Sequence, residues 1–154
     1  MVAEVQLTVL CDNHGADALQ IEHGLAFWIE TPEQTLLFDT GSGQTLAQNA
    51  EHLQIPLDTC ELIVLSHGHY DHTGGLAPLW QQGVCCPVMA HPSAILPRYS
   101  RHPDKPVRSI GMPTEIVSQL WQLPSSLRLW CTEPQLLAPY WGRSGEIPRT
   151  DPLE

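Results

Sequence analysis

Four side chains of the kinds that bind metals stand within six residues of one another: His67, His69, Asp71 and His72, in the run His-Gly-His-Tyr-Asp-His. Neutral imidazole nitrogen and carboxylate oxygen are ligands that zinc accepts, and manganese and iron take the same set. His67 and His69 are two apart, so in extended backbone their rings project to the same side and can share one ion. Asp71 and His72 follow where the chain turns, and adjacent residues in a turn can face a second position nearby. One loop can thus serve two ions. In two-metal sites, ions roughly 3.5–4 Å apart share a water, lower its pKa and hold the oxygens of the scissile group.

The flanking residues say what must position this cluster. Leu62, Ile63, Val64 and Leu65 form a continuous apolar run, which suits a strand buried on both faces. Gly74 and Gly75 then open Leu76 to Gln82, which reads as a helix. The cluster therefore sits at the C-terminal end of a strand, where ligand sites collect in open α/β sheets. Idle, solvated histidines are the alternative, and this strand and helix context argues against it. Gly68 is expected to keep the space between His67 and His69 clear, and Gly74 and Gly75 to let the helix start pass close to the ions.

Upstream, Val5, Leu7 and Val9 mark a first strand ending near Cys11. Asp12-Asn13-His14-Gly15 reads as a turn in which Asp12 and Asn13 hydrogen-bond their own backbone. Leu25 to Glu30 and Thr35 to Asp39 look like a hairpin around Thr31-Pro32-Glu33-Gln34. His23, before that run, reads as a structural histidine, with a place lining the cleft as the alternative. On residue type alone, Asp39-Thr40-Gly41-Ser42-Gly43 is a turn and helix cap. Thr45 to Gln54 carries Leu46, Ala50 and Leu53 at helical spacing, with His52 facing solvent.

Downstream, Cys86 to Ala90 reads as a strand closed by His91-Pro92. His91 approaches the cleft if this strand runs parallel to the one before His67; otherwise it caps the next segment. Leu96 to Met112 is expected to lack regular structure. It holds Arg98, Arg101, Lys105 and Arg108, four of the chain's seven basic residues. Such a stretch is either a solvated loop or a substrate loop that grips an anionic group. Thr114 to Gln122 reads as a helix with Thr114 as its cap, and Leu127 to Cys131 and Leu136 to Gly142 as strands. Two strand-to-helix units in succession imply an α/β layer architecture.

At 154 residues the chain is one domain by length. Seven Lys plus Arg against 17 Asp plus Glu give a formal net charge of −10. That surface repels phosphate backbones and anionic lipid, so the expected partner is a small-molecule substrate, with neither nucleic acid nor membrane. The N-terminus has no basic n-region, and no apolar run approaches the ~20 residues that span a bilayer, so a cytoplasmic location is expected. Cys11, Cys60, Cys85, Cys86 and Cys131 form an odd set without a Cys-x-x-Cys pair. They read as small buried apolar residues, not as disulfides.

The His-x-His-x-Asp-His pattern after an apolar strand resembles the signature of the metallo-β-lactamase superfamily. Its form here, His67-Gly-His-Tyr-Asp-His72-Thr-Gly-Gly, is similar to one branch, named for a dihydropterin–aminobenzene ribofuranosyl phosphate synthase and otherwise filled with uncharacterised metal-dependent hydrolases. Asp12-Asn13, Glu22 to Ala26, Leu37 to Gly41, Ala90-His91-Pro92, Ile110 to Pro113 and Gly145-Glu146-Ile147-Pro148-Arg149 resemble the same branch. The resemblance implies the N-terminal part of an αββα four-layer sandwich, with residues 1–154 as a single domain that lacks the C-terminal part of the fold.

It also implies a function: hydrolysis of a small ester, phosphoester or related anion by a metal-bound hydroxide. His67, His69, Asp71 and His72 would be ligands, to two zinc ions in the complete fold or to manganese or iron. Asp71 would also act catalytically by orienting the water. Asp39 would support the metal loop by orienting a ligand imidazole or loop backbone, and Asn13, like His23 and His91, would line the cleft. Pterin-type synthase chemistry is one alternative. A non-catalytic metal-binding or interaction module is another, because in the superfamily further ligands come from the part of the fold missing here. An apolar sheet face left open would then be covered by a second copy in a homo-oligomer.

Overall fold

A computed structural model describes residues 4–139 and 141–147. In chain order its first elements are β1 (Gln6–Cys11), β2 (Ala26–Glu30), β3 (Thr35–Phe38), α1 (Leu46–His52), β4 (Leu62–Val64), the single turn α2 (Tyr70–Thr73) and α3 (Leu76–Gln81). Then come β5 (Val88–Ala90), β6 (Tyr99–His102), β7 (Lys105–Ser109), α4 (Thr114–Gln122), β8 (Arg128–Trp130), β9 (Gln135–Ala138) and β10 (Trp141–Arg143). The main sheet has the order β1-β2-β3-β4-β5-β8. Its first three strands are antiparallel, and β3, β4, β5 and β8 are parallel. All three residues of β5 and both Leu62 and Ile63 of β4 are buried, as the continuous apolar runs require of central parallel strands.

Register assigns each side chain to a layer. Trp28, Leu37, Ile63 and Val88 pair across neighbouring strands and share one face. There they join Leu46 and Ala50 of α1, Leu76 and Leu79 of α3, and Ile116 and Leu120 of α4 in the main core. Each fully buried Leu, Ile or Val among them contributes about 1.5–3 kcal/mol. Ile29, Leu36 and Leu62 pair on the opposite face, as do Phe38, Val64, Met89 and Leu129. This second face is only partly open. Leu137 of β9 and Trp141 of β10 pack on Leu36, Leu62 and Met89, whereas Leu7 and Val9 on edge strand β1 are 55% and 41% exposed.

Two stretches depart from the reading of the sequence. Leu96 to Met112 contains the β6–β7 hairpin, closed by Pro103 and Asp104, where His102 pairs with Lys105. Its strands lie outside the core, so burial imposes no apolar alternation on them. The Leu136 to Gly142 run is two antiparallel strands instead of one. Thr114 is the first helical residue of α4, with Pro113 at the cap position, and its hydroxyl meets Glu115 instead of a backbone N–H. Cys11, Cys60 and Cys86 are buried, but Cys85 is exposed and Cys131 half-buried, and all five are free thiols. Among the described residues, no helix is long and apolar enough to cross a membrane. Pro148 and Arg149 lie outside the described residues.

Candidate metal centre

The parallel ladder carries the chain to the site. Leu65 donates to the Met89 carbonyl at 2.9 Å, and Ser66 to His69 then leave the end of β4. Gly68 lies so close to the 92–95 turn that a Cβ would collide with the Ala94 carbonyl. Its missing side chain therefore serves that backbone approach, not clearance between the histidines. Gly75 is similarly closed by the Thr40 carbonyl, and Gly74 by that of Ser42. These glycines let the helix start pack on the 40–42 loop.

His69 bridges to Gly111, and Tyr70 N–H donates to the Ile110 carbonyl at 3.0 Å. The turn of α2 then swings Asp71 and His72 back toward the first two histidines. The His67 ring lies 4.5 Å from that of His69 and 4.2 Å from that of His72, centroid to centroid. His72 Nε2 stands 3.7 Å from Asp71 Oδ2, which lies 3.2 Å from His23 Nε2. Among the described residues, no three His, Cys, Asp or Glu side chains lie close enough to hold an ion as they stand. The rings meet at interplanar angles of 73° and 55°.

Asp39 organises the group from beneath. Fully buried and held at φ 56°, it accepts Ser66 N–H at 2.8 Å on Oδ1. Its Oδ2 accepts the Ser66 hydroxyl at 2.6 Å and lies 2.7 Å from His72 Nδ1. A carboxylate only accepts, so Nδ1 of His72 carries a proton and Nε2 of the neutral ring presents a lone pair. Ser66 has one hydroxyl proton, directed at Asp39, so its oxygen accepts from His67 Nδ1 at 2.9 Å. Nε2 of His67 is a lone pair as well. One carboxylate thereby sets the tautomer of two imidazoles.

The pKa values of His67 and His72 are shifted in opposite directions. Burial lowers the pKa of His67, and neighbouring His72 and His69 lower it further. Burial also lowers that of His72, but the hydrogen bond to Asp39 and the charges of Asp39 and Asp71 outweigh it, and the net shift is upward.

The outlying residues divide. Asp12 accepts the Asn13 N–H as a turn residue should. Asn13 instead reaches across to Gly24 N–H and to His23 Nδ1, each at 3.2 Å, holding His23 against Asp71. His91 caps the 92–95 turn, with Ser93 N–H donating to its Nδ1 at 3.2 Å. It also lines a cleft of about 530 Å³ together with His67 and His69, because β5 is parallel to β4. Ser93, Arg98 and the segment Ser144 to Ile147 complete the cleft wall.

Glu22 has an organising role that the sequence did not single out beyond its place in the Glu22 to Ala26 stretch. Its buried carboxylate accepts from the Cys11 thiol, the Ser42 hydroxyl and the N–H groups of Ser42 and Gln44, at 2.6–3.0 Å. It thus fixes the loop on which Gly75 packs. Burial raises its pKa, but these donors outweigh burial and leave it below the ordinary 4.5. A carboxylate lowered by folding contributes stability above its unfolded pKa and loses it as pH falls through the folded value. Glu22→Gln is therefore expected to be less stable than wild type near neutrality, with the gap narrowing below about pH 4.5. Thermal unfolding between about pH 3 and pH 7 measures this.

The sequence model of the Metallo-beta-lactamase superfamily matches residues 20–130. The chain belongs to this superfamily. Its mixed α/β layers agree: Tm1679, solved as a metal-dependent hydrolase of the beta-lactamase superfamily, superposes with a TM-score of 0.64 at 24% identity, over 88% of this chain and 46% of that one. Among curated relatives, 7,8-dihydropterin-6-methyl-4-(beta-D-ribofuranosyl)-aminobenzene-5'-phosphate synthase of Methanocaldococcus jannaschii is 33% identical over 54% of this chain and 30% of its own length. Hydroxyacylglutathione hydrolase of Idiomarina loihiensis is 31% identical over 47% of this chain and 27% of its own. In these comparisons the chain covers less than half the length of each of these relatives.

Proposed function

We propose that this chain carries the metal-holding loop of a metal-dependent hydrolase, with His67, His69, Asp71 and His72 as ligands. The observation that carries the reading is the pair of acceptors facing each other across 3.7 Å, Nε2 of His72 and Oδ2 of Asp71. With Nδ1–H bound to Asp39, the deprotonated His72 ring turns its Nε2 lone pair toward Asp71 Oδ2, and in that form the gap suits a cation. His67 Nε2 joins as a third donor of the same kind. Imidazole and carboxylate match zinc best, with manganese or iron as alternatives and two ions in a complete fold. When bound, such an ion supplies Lewis acidity and an acidified water. Asp71 Oδ2 faces both His72 and His23, so its Oδ1 is the atom left to orient a water or accept its proton. Asp39 keeps both Nε2 lone pairs turned outward.

The cleft volume suits a small molecule, and an ester, phosphoester or related anion is the proposed substrate class. Likeness to the M. jannaschii synthase supports pterin-type synthase chemistry as the second reading. That no three ligand-type side chains among the described residues lie close enough to hold an ion supports a non-catalytic metal-binding or interaction module as the third.

Zinc content per chain, measured by elemental analysis after dialysis, tests the reading. At least one retained ion is expected, and its removal by chelator should lower the unfolding temperature, since saturation at about 100 times Kd is worth about 2.7 kcal/mol. A chain that retains no zinc and unfolds identically with and without it would sink the proposal. Zinc retention without turnover of p-nitrophenyl acetate or bis(p-nitrophenyl) phosphate would favour the non-catalytic module.

A further inference from the structure

The structure separates the basic residues of this acidic chain. Arg101, Lys105 and Arg108 ride in solvent on the β6–β7 hairpin. Arg128 donates to the Leu120 and Trp121 carbonyls and lies over the Trp121 ring, and Arg143 donates to Gln135. Arg98, half-buried, lines the cleft with His67 and His69.

Two features distinguish its guanidinium. It is anchored through Nη1 to the carbonyls of Leu96 and Pro97, at 3.3 and 3.1 Å, and through Nη2 to that of Ser93 at 3.2 Å. Carbonyls hold it without neutralising it. Among the described residues the close contacts between basic side chains and carboxylates all involve histidine, and none includes Arg98 or its cleft neighbour Glu146. A half-buried, uncompensated guanidinium on a chain of net charge −10 has an open demand for an anion.

Its backbone is also registered to the metal loop. The Arg98 carbonyl accepts from Ile110 N–H at 2.9 Å, and the Ile110 carbonyl accepts from Tyr70 N–H at 3.0 Å, next to the His69–Gly111 bridge. Two hydrogen bonds through one shared residue thus hold Arg98 at a set span from His69.

The geometry points to Arg98 as the residue that selects the substrate: it receives an oxyanion, phosphate or carboxylate, of a molecule whose reacting centre lies over His67 and His69. The N–H groups left free by the carbonyl anchors supply the charge-assisted donors such a group needs. For the reaction this rests on the hydrolase reading; for binding it does not, so binding is tested without metal.

The experiment titrates the chelator-treated full chain with phenylphosphonate, benzoate and neutral benzamide, read by NMR shifts. Saturable binding of at least one anion is expected, with shifts at Arg98 and the 66–69 loop and none that saturate for benzamide. Arg98→Met should weaken that anion about 10-fold or more, and Arg98→Lys less, since charge remains. Whichever anion binds tighter names the oxyanion class. Arg98→Met should take up zinc as wild type does, which reports an intact fold. Equal affinity of wild type and Arg98→Met, or no saturable binding by wild type, overturns the proposal. A chain that takes no zinc yet binds the anion through Arg98 removes the hydrolase reading and leaves the anion site standing.

Discussion

Asp39→Asn is expected to weaken zinc binding by between about 10-fold and 100-fold, although it changes one atom of a side chain that touches no ligand lone pair. The asparagine must put its NH2 on one side of the carboxamide. Placed where Oδ2 stands, the NH2 meets two donors, the Ser66 hydroxyl and His72 Nδ1–H. Relief requires His72 to shift its proton from Nδ1 to Nε2, and the outward lone pair is lost. Placed where Oδ1 stands, the NH2 opposes the Ser66 N–H at the start of the 66–69 loop. Unless His72 shifts its proton, either orientation leaves the buried NH2 without an acceptor, at about 1–3 kcal/mol of stability. Competition against a chromophoric chelator measures the affinity, and NMR of the His72 ring reports the tautomer. Wild-type zinc affinity in this variant would refute the role given to Asp39.

Gly75→Ala is expected to destabilise the chain by about 3 kcal/mol, the upper end for an overpacked site. The new Cβ would drive into the Thr40 carbonyl, with Cβ of Thr40 also at 2.9 Å. Thr40 cannot easily retreat, since its N–H and hydroxyl both donate to the His72 carbonyl, at 2.8 and 3.0 Å. Gly83→Ala is the control. Gly83 has φ 87° but nothing within 4 Å, so it should cost only the local strain of about 1–2 kcal/mol. Urea unfolding of both variants compares them. If Gly75→Ala loses no more than Gly83→Ala, the 40–42 loop yields and does not buttress the site.

These two residues show where sequence reading succeeds and where it stops. Asp39 stood out only through its place in a family resemblance, because by type and neighbours it is a turn residue. Its partners, Ser66 and His72, lie 27 and 33 positions away. Gly75 was legible as a glycine that permits close approach, but the surface approached was misread: it is the 40–42 loop, packed by Glu22, and not the ligand cluster. The β6–β7 hairpin went unseen for a related reason. Strands that bury nothing leave no apolar rhythm in the sequence.

By itself the sequence determined the layers and the cluster. Apolar runs and helical spacing record burial residue by residue, so β2 to β5, α1, α3 and α4 could be read within a few positions, along with a group of ligand-type side chains at a strand end. Only the tertiary structure decided which nitrogen of His67 and His72 faces outward, that Arg98 alone of its basic stretch lines the cleft of His67 and His69, and that β9 and β10 cover part of the second sheet face. Those outcomes depend on hydrogen bonds and contacts between segments distant in the chain. Nothing in the local order of residues encodes them until the strands pair.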